Sequence, residues 1–253
     1  MKVTRVQRIL VLVTAVVAVG AAGLQATGVL GLTPAEFAAQ GAGTVRAASY
    51  AFGIWSVIYA ALLVYAVYQL VPGWSRDSTL ERFGWPSAAA MLAVGLWLVA
   101  AGANWRWATV ALIVVAALAV SAPLASSLEG IGRRDRLLIV TPLALLAGWL
   151  TIASGLNAIT VLTAEGLVST GTATWWALGG LAASVAVTLI VFVRGHALAY
   201  PVPVIWGLIA VFVAERGDRP QAAWFALAMA VMIAAMLIGR ARTQPWPSAR
   251  RAG

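Results

Sequence analysis

The chain has 253 residues, of which 62% are hydrophobic and 10% are charged, and its mean hydropathy is +0.92. A soluble domain carries about 25% charged residues, so these few charges exclude a water-facing surface, and the lipid bilayer is the expected partner. The net charge of +9 is therefore interpreted as topology signals and contacts to anionic lipid headgroups, and nucleic acid is not an expected partner.

Eight apolar runs follow one another along the chain, and each is about long enough to cross the hydrocarbon core of a bilayer. In chain order they cover residues 9–32, 50–71, 85–103, 107–125, 137–162, 174–193, 198–214 and 221–239. The runs are continuously apolar and lack the alternation of a strand barrel, so we predict an all-α polytopic bundle of about eight transmembrane helices. We favour a retained first helix because apolar character continues to Leu32; if this run is a cleaved signal, seven helices remain.

The basic residues are sorted between alternate gaps of these runs. One set of gaps holds only four of the 17 lysines and arginines, which leaves 13 in the other set. The four are Arg46, Arg106, Arg216 and Arg219. Because cytoplasmic loops collect Lys and Arg, we predict a multi-pass protein of the inner cell membrane with both termini in the cytoplasm.

Chemistry-bearing side chains are scarce. No Asp, Glu, Lys or Arg falls in the middle of an apolar run, although coupled transporters usually place ionisable groups there. The absence of cysteine and the single histidine exclude disulfides and cysteine or multi-histidine metal sites. We therefore predict no catalytic residues and no metal ligands, and an enzyme is the weakest functional class.

Aromatic and amide side chains form stripes along three of the runs. Phe52, Trp55 and Tyr59 recur at spacings of three and four, which places them on one helical face. Two interpretations stay open: ordinary interhelical packing, or an aromatic-lined cavity in which a few amides orient a flat apolar ligand. The second interpretation predicts these ligand-binding residues: Phe52, Trp55, Tyr59, Trp97, Asn104, Trp149, Ala153 and Asn157.

Two of these stripes resemble the tryptophan-rich sensory protein family, also called the translocator protein or TspO/MBR family. Its first helix typically carries F-G-x-x-W-x-x-x-Y, which Phe52, Trp55 and Tyr59 fit, and a later helix carries Trp followed eight residues on by Asn, which Trp149 and Asn157 fit. The similarity covers residues 49–162. Two family features are missing: the Pro-Pro before the first motif and the Pro-Tyr before the later Trp. With its extra helices, the chain looks like a longer, divergent bacterial member.

The resemblance implies a five-helix unit that contains a cavity for porphyrins, sterols or similar flat apolar molecules. Trp55, Tyr59, Trp149 and Asn157 carry over from the family motifs, and Asn104 carries over more loosely. On this basis we divide the chain into an N-terminal helix and external loop (1–48), a TspO-like core (49–173, continuing into the helix at 174–193), C-terminal helices (194–242) and a disordered cytoplasmic tail (243–253).

Three functions remain open. The first is a sensor or carrier that binds a flat hydrophobic ligand, a porphyrin, another tetrapyrrole or a sterol-like molecule; family members are linked to tetrapyrrole handling, stress-linked regulation and light-dependent porphyrin breakdown. The second is a permease for a neutral lipophilic solute, and the third is a membrane scaffold without a ligand. No cofactor is required, and both a bound porphyrin or other tetrapyrrole and a homodimer stay open.

Overall fold

The computed structural model describes residues 3–243, and within that range it contains nine helices and no strand. The helices are α1 (Arg5–Ala26), α2 (Pro34–Ala39), α3 (Ser49–Tyr68, of which Ser49–Gly53 is a 3-10 turn), α4 (Asp77–Gly102), α5 (Arg106–Leu124), α6 (Arg133–Ala164), α7 (Ala173–Gly195), α8 (Pro201–Glu215) and α9 (Pro220–Thr243). Seven are long and apolar enough to cross a membrane, while α2 and α8 are shorter. The prediction of an all-α polytopic bundle is confirmed.

Several predicted boundaries differ from the structure, and the largest difference is at α4, which begins at Asp77, eight residues before the predicted run 85–103. The first helix ends at Ala26, six residues before the predicted end, because the chain turns at Gly28 and Gly31, whose φ angles of 77° and 89° favour glycine. Thr243 is the last residue of α9 and not the start of a tail. The rest of the predicted tail, 244–253, lies outside the described residues.

Helices α4 and α6 form the centre of the bundle. Of the most apolar 18 residues in each, 67% are buried, compared with 28–39% in the other five long helices. Helix α1 packs along α4, α5 lies between α4 and α6, and α8 packs on α6 and α9. Near its start α6 contains a π-helical turn, Arg136–Val140, just before Pro142. Proline lacks an N–H and displaces the carbonyl four residues earlier, which accounts for the irregular turn.

Helix α8, which corresponds to the predicted run 198–214, is preceded by a non-helical link, and its crossing of the membrane stays a prediction. Its 15 residues span about 22 Å, which is less than the ~30 Å hydrocarbon core. The link, residues 196–200, is held against α6 by a 2.7 Å hydrogen bond between the Tyr200 and Thr151 hydroxyls. Pro201 and Pro203 have no amide hydrogens, so they remove two donors that a buried helix start would leave unpaired. Ala197 and Tyr200 of the link are buried in protein, which is the setting in which a bilayer tolerates irregular backbone.

The loops that the charge pattern assigned to one side do lie together at one end of the bundle. At this basic end, Arg8 forms a 3.2 Å salt bridge with Asp77, and Tyr68 donates a 3.0 Å hydrogen bond to Asp135. At the opposite end, which we call the α2 end, Arg106 pairs with Glu165 at 3.2 Å. The cytoplasmic placement of the basic end and of both termini stays a prediction.

Candidate ligand site

A small cavity lies between α3, α4, α5 and α6, and the segment 33–48, which contains α2, covers it. We call this segment the lid. The free volume of the cavity is about 60 Å³. Among the described residues that line it, Arg46 carries the only charge, Asn157 and Thr160 are polar, and the others are aliphatic or aromatic. Six of the predicted ligand residues lie in this lining: Phe52, Trp55, Trp97, Trp149, Ala153 and Asn157.

Aromatic rings meet at right angles on one wall of the cavity. The ring of Trp149, on α6, packs edge-on against Phe52 at 6.4 Å and against Trp55 at 6.2 Å between ring centroids. Trp55 in turn stacks on Tyr59, with centroids 5.0 Å apart and planes 18° apart. Edge-to-face and offset-stacked pairs are the favoured geometries of aromatic rings. The helical spacing that defined the stripe in the sequence thus brings α3 and α6 together through their rings.

A chain of buried hydrogen bonds crosses the other wall. Trp97 donates its indole N–H to Asn157 Oδ1 at 3.3 Å, and Asn157 donates Nδ2 to Thr109 Oγ1 at 3.0 Å. These bonds join α4, α6 and α5, and they satisfy both ends of the Asn157 amide inside the bundle. Polar side chains often connect membrane helices in this way. Asn157 therefore positions the helices around the cavity.

The lid is attached to the bundle at several points. Phe37 is buried against Trp97, with ring centroids 6.1 Å apart. Thr163 donates a hydrogen bond to Thr44 Oγ1 at 2.8 Å, which fixes the lid to α6. The backbone N–H of Arg46 donates to Glu215 Oε1 at 2.9 Å, which fixes it to α8. These bonds place Arg46 at the cavity.

The start of the lid helix is stabilised by a capping box. The backbone N–H and the hydroxyl of Thr33 donate to Glu36 Oε2 at 2.7 and 2.8 Å, and the Glu36 N–H donates back to the Thr33 hydroxyl at 3.2 Å. The bonds from Thr33 lower the pKa of Glu36 below its usual value, the backbone bond having the larger effect. Reciprocal hydrogen bonds of this kind satisfy backbone N–H groups that have no partner at the start of a helix. Even the six-residue α2 is therefore well defined.

Two predicted residues lie outside the described lining. Tyr59 is stacked behind Trp55, and its buried hydroxyl has no hydrogen-bond partner among the described residues. Asn104 occupies the turn between α4 and α5 with φ 57°, a left-handed conformation that Asn tolerates, and it accepts a 2.9 Å bond from Gln40 of the lid. Asn104 therefore contacts the lid and not the cavity.

Sequence reasoning missed all six residues of the lid that line the cavity, and Phe37 and Arg46 are the two that matter most for its chemistry. Phe37 lies on a six-residue helix that is too short to show a periodic stripe. Arg46 was interpreted only as a topology signal. Neither position carries a sequence pattern that would reveal its role, because the lid reaches the cavity only through tertiary contacts.

The fold and the buried core define the class: a multi-pass helical membrane protein. The family model described as "TSPO-like protein" matches residues 8–239, so the chain belongs to the TSPO-like family. The match is wider than the region that carries the motifs, 49–162, and it extends from α1 to α9. No curated protein and no solved structure matches the chain.

Proposed function

We propose that the cavity binds a flat hydrophobic molecule that carries an acidic group, with a carboxylate-bearing tetrapyrrole as the best candidate, and that the protein acts as a sensor or carrier of it. The observation that carries this proposal is a wall of perpendicular aromatic rings beside a single cation. A sterol-like ligand would use the rings and leave the cation unused.

The aromatic corner suits a flat ring system. A macrocycle stacked on Trp55 or Trp149 would meet the other ring edge-on, and both contacts are favourable. Mostly apolar pockets with a few fixed polar groups are typical of small-molecule sites. Trp97 and Asn157 already satisfy one another through their hydrogen bond, so they define the pocket shape and leave recognition of charge to another residue.

Arg46 is suited to recognise that charge. Its Nε lies 4.0 Å from Glu215 Oε1, whereas Arg219 Nη1 lies 2.8 Å from Glu215 Oε2. Glu215 is thus paired mainly with Arg219 and with the Arg46 backbone N–H. The Arg46 side chain is 46% exposed, and a guanidinium can bind a carboxylate with two parallel hydrogen bonds.

Binding requires the lid to move. The free volume of about 60 Å³ holds a few water molecules and is well below the ~300–1,000 Å³ of typical ligand pockets. The lid is the part best able to move because side-chain and loop hydrogen bonds hold it, such as Thr163–Thr44 and Gln40–Asn104. We infer a site that is nearly closed when empty and that opens by displacement of residues 33–48.

Titration of tryptophan fluorescence with protoporphyrin in detergent tests the binding site. The parent is expected to show saturable quenching near one equivalent, and Trp55→Phe or Trp149→Phe should weaken the affinity several-fold. Trp175→Phe is the matched control because Trp175 is 74% exposed and lies outside the cavity lining. Linear quenching that is the same in all variants would mean partitioning into micelles and would overturn the proposed site.

The role of Arg46 is tested by comparing protoporphyrin with its dimethyl ester, which has the same ring and no acidic group. The parent is expected to prefer the acid by about tenfold, the equivalent of ~1.4 kcal/mol, and Arg46→Gln should remove the preference. Arg216→Gln removes a charge from an exposed residue at the same end and should keep it. Equal affinity of the parent for acid and ester would refute a role for the cation.

A second candidate is transport of a neutral lipophilic solute, and the break before α8 favours it, because interrupted helices are common in transporters. Flux measured in proteoliposomes distinguishes the two functions. A flux that saturates with solute concentration supports a transporter that moves the solute across the bilayer. Flux equal to that of protein-free liposomes supports a sensor that only binds.

A further inference from the structure

A second and larger cavity, of about 400 Å³, lies at the basic end between the start of α6, the link 196–200 and the end of α9. It exists because the link is not helical and leaves space beside α6. A neighbouring cavity of about 220 Å³ shares His196 and Thr243 with it and adds Arg240. We call the two together the basic cleft, after its polar lining residues: Arg133, Arg136, His196, Arg240, Thr141 and Thr243.

The charges around the basic cleft are separated by sign. The segment 133–136 reads Arg-Arg-Asp-Arg, and its acid, Asp135, is buried on the far side. Asp135 accepts hydrogen bonds from Tyr68 Oη at 3.0 Å, Thr79 Oγ1 at 2.9 Å and the Arg76 N–H at 3.2 Å. No Asp or Glu lies among the described residues that line the cleft. The cleft is therefore cationic although the local sequence contains an acid.

The guanidinium of Arg136 is fixed in place. Its Nε donates to the Ile131 carbonyl at 3.2 Å and its Nη2 to the Leu128 carbonyl at 2.7 Å, and Nη1 lies outside these bonds. The walls beside it are apolar and include Leu137, which is 54% exposed. The basic cleft thus combines an oriented cation with an apolar surface at the end of the transmembrane helices.

We propose that the basic cleft binds the phosphate group of an anionic phospholipid, with Arg136 as its principal partner. Guanidinium groups bind phosphate strongly, and basic pockets between helices at the membrane surface are suited to lipid headgroups. A free phosphate ion shares this chemistry, but it would leave the apolar walls uncovered, whereas the acyl chains of a lipid would cover Leu137. This site is independent of the tetrapyrrole cavity at the α2 end.

His196 is a built-in reporter of the cleft because it is the only histidine in the chain. Burial and the charge of Arg240 lower its pKa, and Glu129 acts in the opposite direction. Arg133 and Arg136 also face the cleft that His196 lines. A phosphate bound there would add negative charge beside the imidazole and raise its pKa.

The experiment is an NMR pH titration of His196 in the full-length protein, reconstituted in nanodiscs of phosphatidylcholine alone or mixed with phosphatidylglycerol. The anionic lipid is expected to raise the pKa of His196 in the parent by about 1, a tenfold change in proton affinity. A negative membrane surface attracts protons to every interfacial group. The comparison between variants therefore shows whether the change in pKa arises in the cleft. Arg136→Gln should lose most of the lipid-dependent change, and Arg136→Lys should keep more of it.

Arg134→Gln is the matched control because Arg134 is exposed in the same segment and lies outside the cleft lining; it should respond like the parent. An equal response in Arg136→Gln and Arg134→Gln would reveal surface potential alone and would overturn the site. Inorganic phosphate, added to phosphatidylcholine nanodiscs, should leave His196 nearly unchanged; an equal effect would mean an ion site and refute the lipid. Retention of phosphatidylglycerol in native mass spectra, reduced by Arg136→Gln, gives a second readout.

Discussion

Replacing Gly148 with alanine is expected to destabilise the protein, although alanine is the better helix former. Gly148 lies in the middle of α6 against the start of α8. A Cβ there would stand 3.1 Å from the carbonyl carbon of Tyr200 and closer still to its oxygen, whereas ordinary contacts begin at 3.4 Å. The obstacle is backbone, so the link and the first turn of α8 must move.

The size of the effect follows from two opposing contributions. Overpacking a close contact costs about 1–3 kcal/mol, and exchanging glycine for alanine inside a helix returns about 0.5–1 kcal/mol. Because the obstacle is backbone, the overpacking cost should dominate, and Gly148→Ala should lower the free energy of unfolding by up to about 2.5 kcal/mol. A change of that size moves the Tm by several degrees in a domain of ~200 residues.

Gly179→Ala is the matched control, since Gly179 lies inside α7 and a Cβ there meets nothing within 4 Å. It should raise the Tm, because only the helix-propensity contribution remains. Both variants and the parent are melted in the same detergent, with circular dichroism as the signal. The proposed contact between α6 and the link would be refuted if Gly148→Ala were as stable as Gly179→Ala.

Three further expectations follow from the lid, the buried tyrosines and the histidine. The double variant Thr44→Cys/Thr163→Cys, in a chain without other cysteines, should form a disulfide that holds the lid against α6. The oxidised protein should lose porphyrin binding and regain it on reduction. Binding by the oxidised form would show that the lid does not need to open. Tyr59→Phe should leave the Tm unchanged or raise it, because the hydroxyl it removes has no hydrogen-bond partner among the described residues. Tyr65→Phe removes a 2.8 Å hydrogen bond to Ser87 and should lower the free energy of unfolding by about 1 kcal/mol. Equal losses of Tm in the two variants would contradict the difference between these hydroxyls. The pKa of His196 is lowered in the folded state, so the unfolded state binds more protons near this pH. Stability should therefore fall as the pH drops below about 6.5 and through the folded pKa. His196→Gln should flatten this part of the stability curve, and a variant with the same pH profile as the parent would contradict the role of His196.

Much of the fold follows from patterns that the bilayer imposes on a sequence. A spanning helix must bury its own backbone bonds and show lipid an apolar surface, so runs such as 107–125 are visible without tertiary information. The end of α1 was less visible because Leu32 is apolar, while the turn at Gly28 depends on local backbone conformation. The run 198–214 did not reveal that α8 begins only at Pro201, because the preceding link is held by a tertiary contact between Tyr200 and Thr151 of α6.

The candidate site was predictable only where it lies on regular helices. Trp149 and Asn157 are eight residues apart on α6, and that spacing placed both on one face, where the structure finds them lining one cavity. Arg46 reaches the same cavity from an irregular segment that is held by Glu215, far away in the sequence. Tyr59 belongs to the motif of α3, yet the ring of Trp55 separates it from the space that Trp149 faces.

The arginines of the basic end also fasten the loop between α5 and α6. Arg82 donates to the carbonyls of Ser126 at 2.9 Å and Ser127 at 2.7 Å, and Arg76 donates to the Gly130 carbonyl at 2.9 Å. The residues that would direct insertion are thus the same residues that close the ends of the helices. Orientation and folding are therefore coupled in this chain: a mutation that removes one of these charges weakens the orientation signal and also removes the hydrogen bonds that hold a loop.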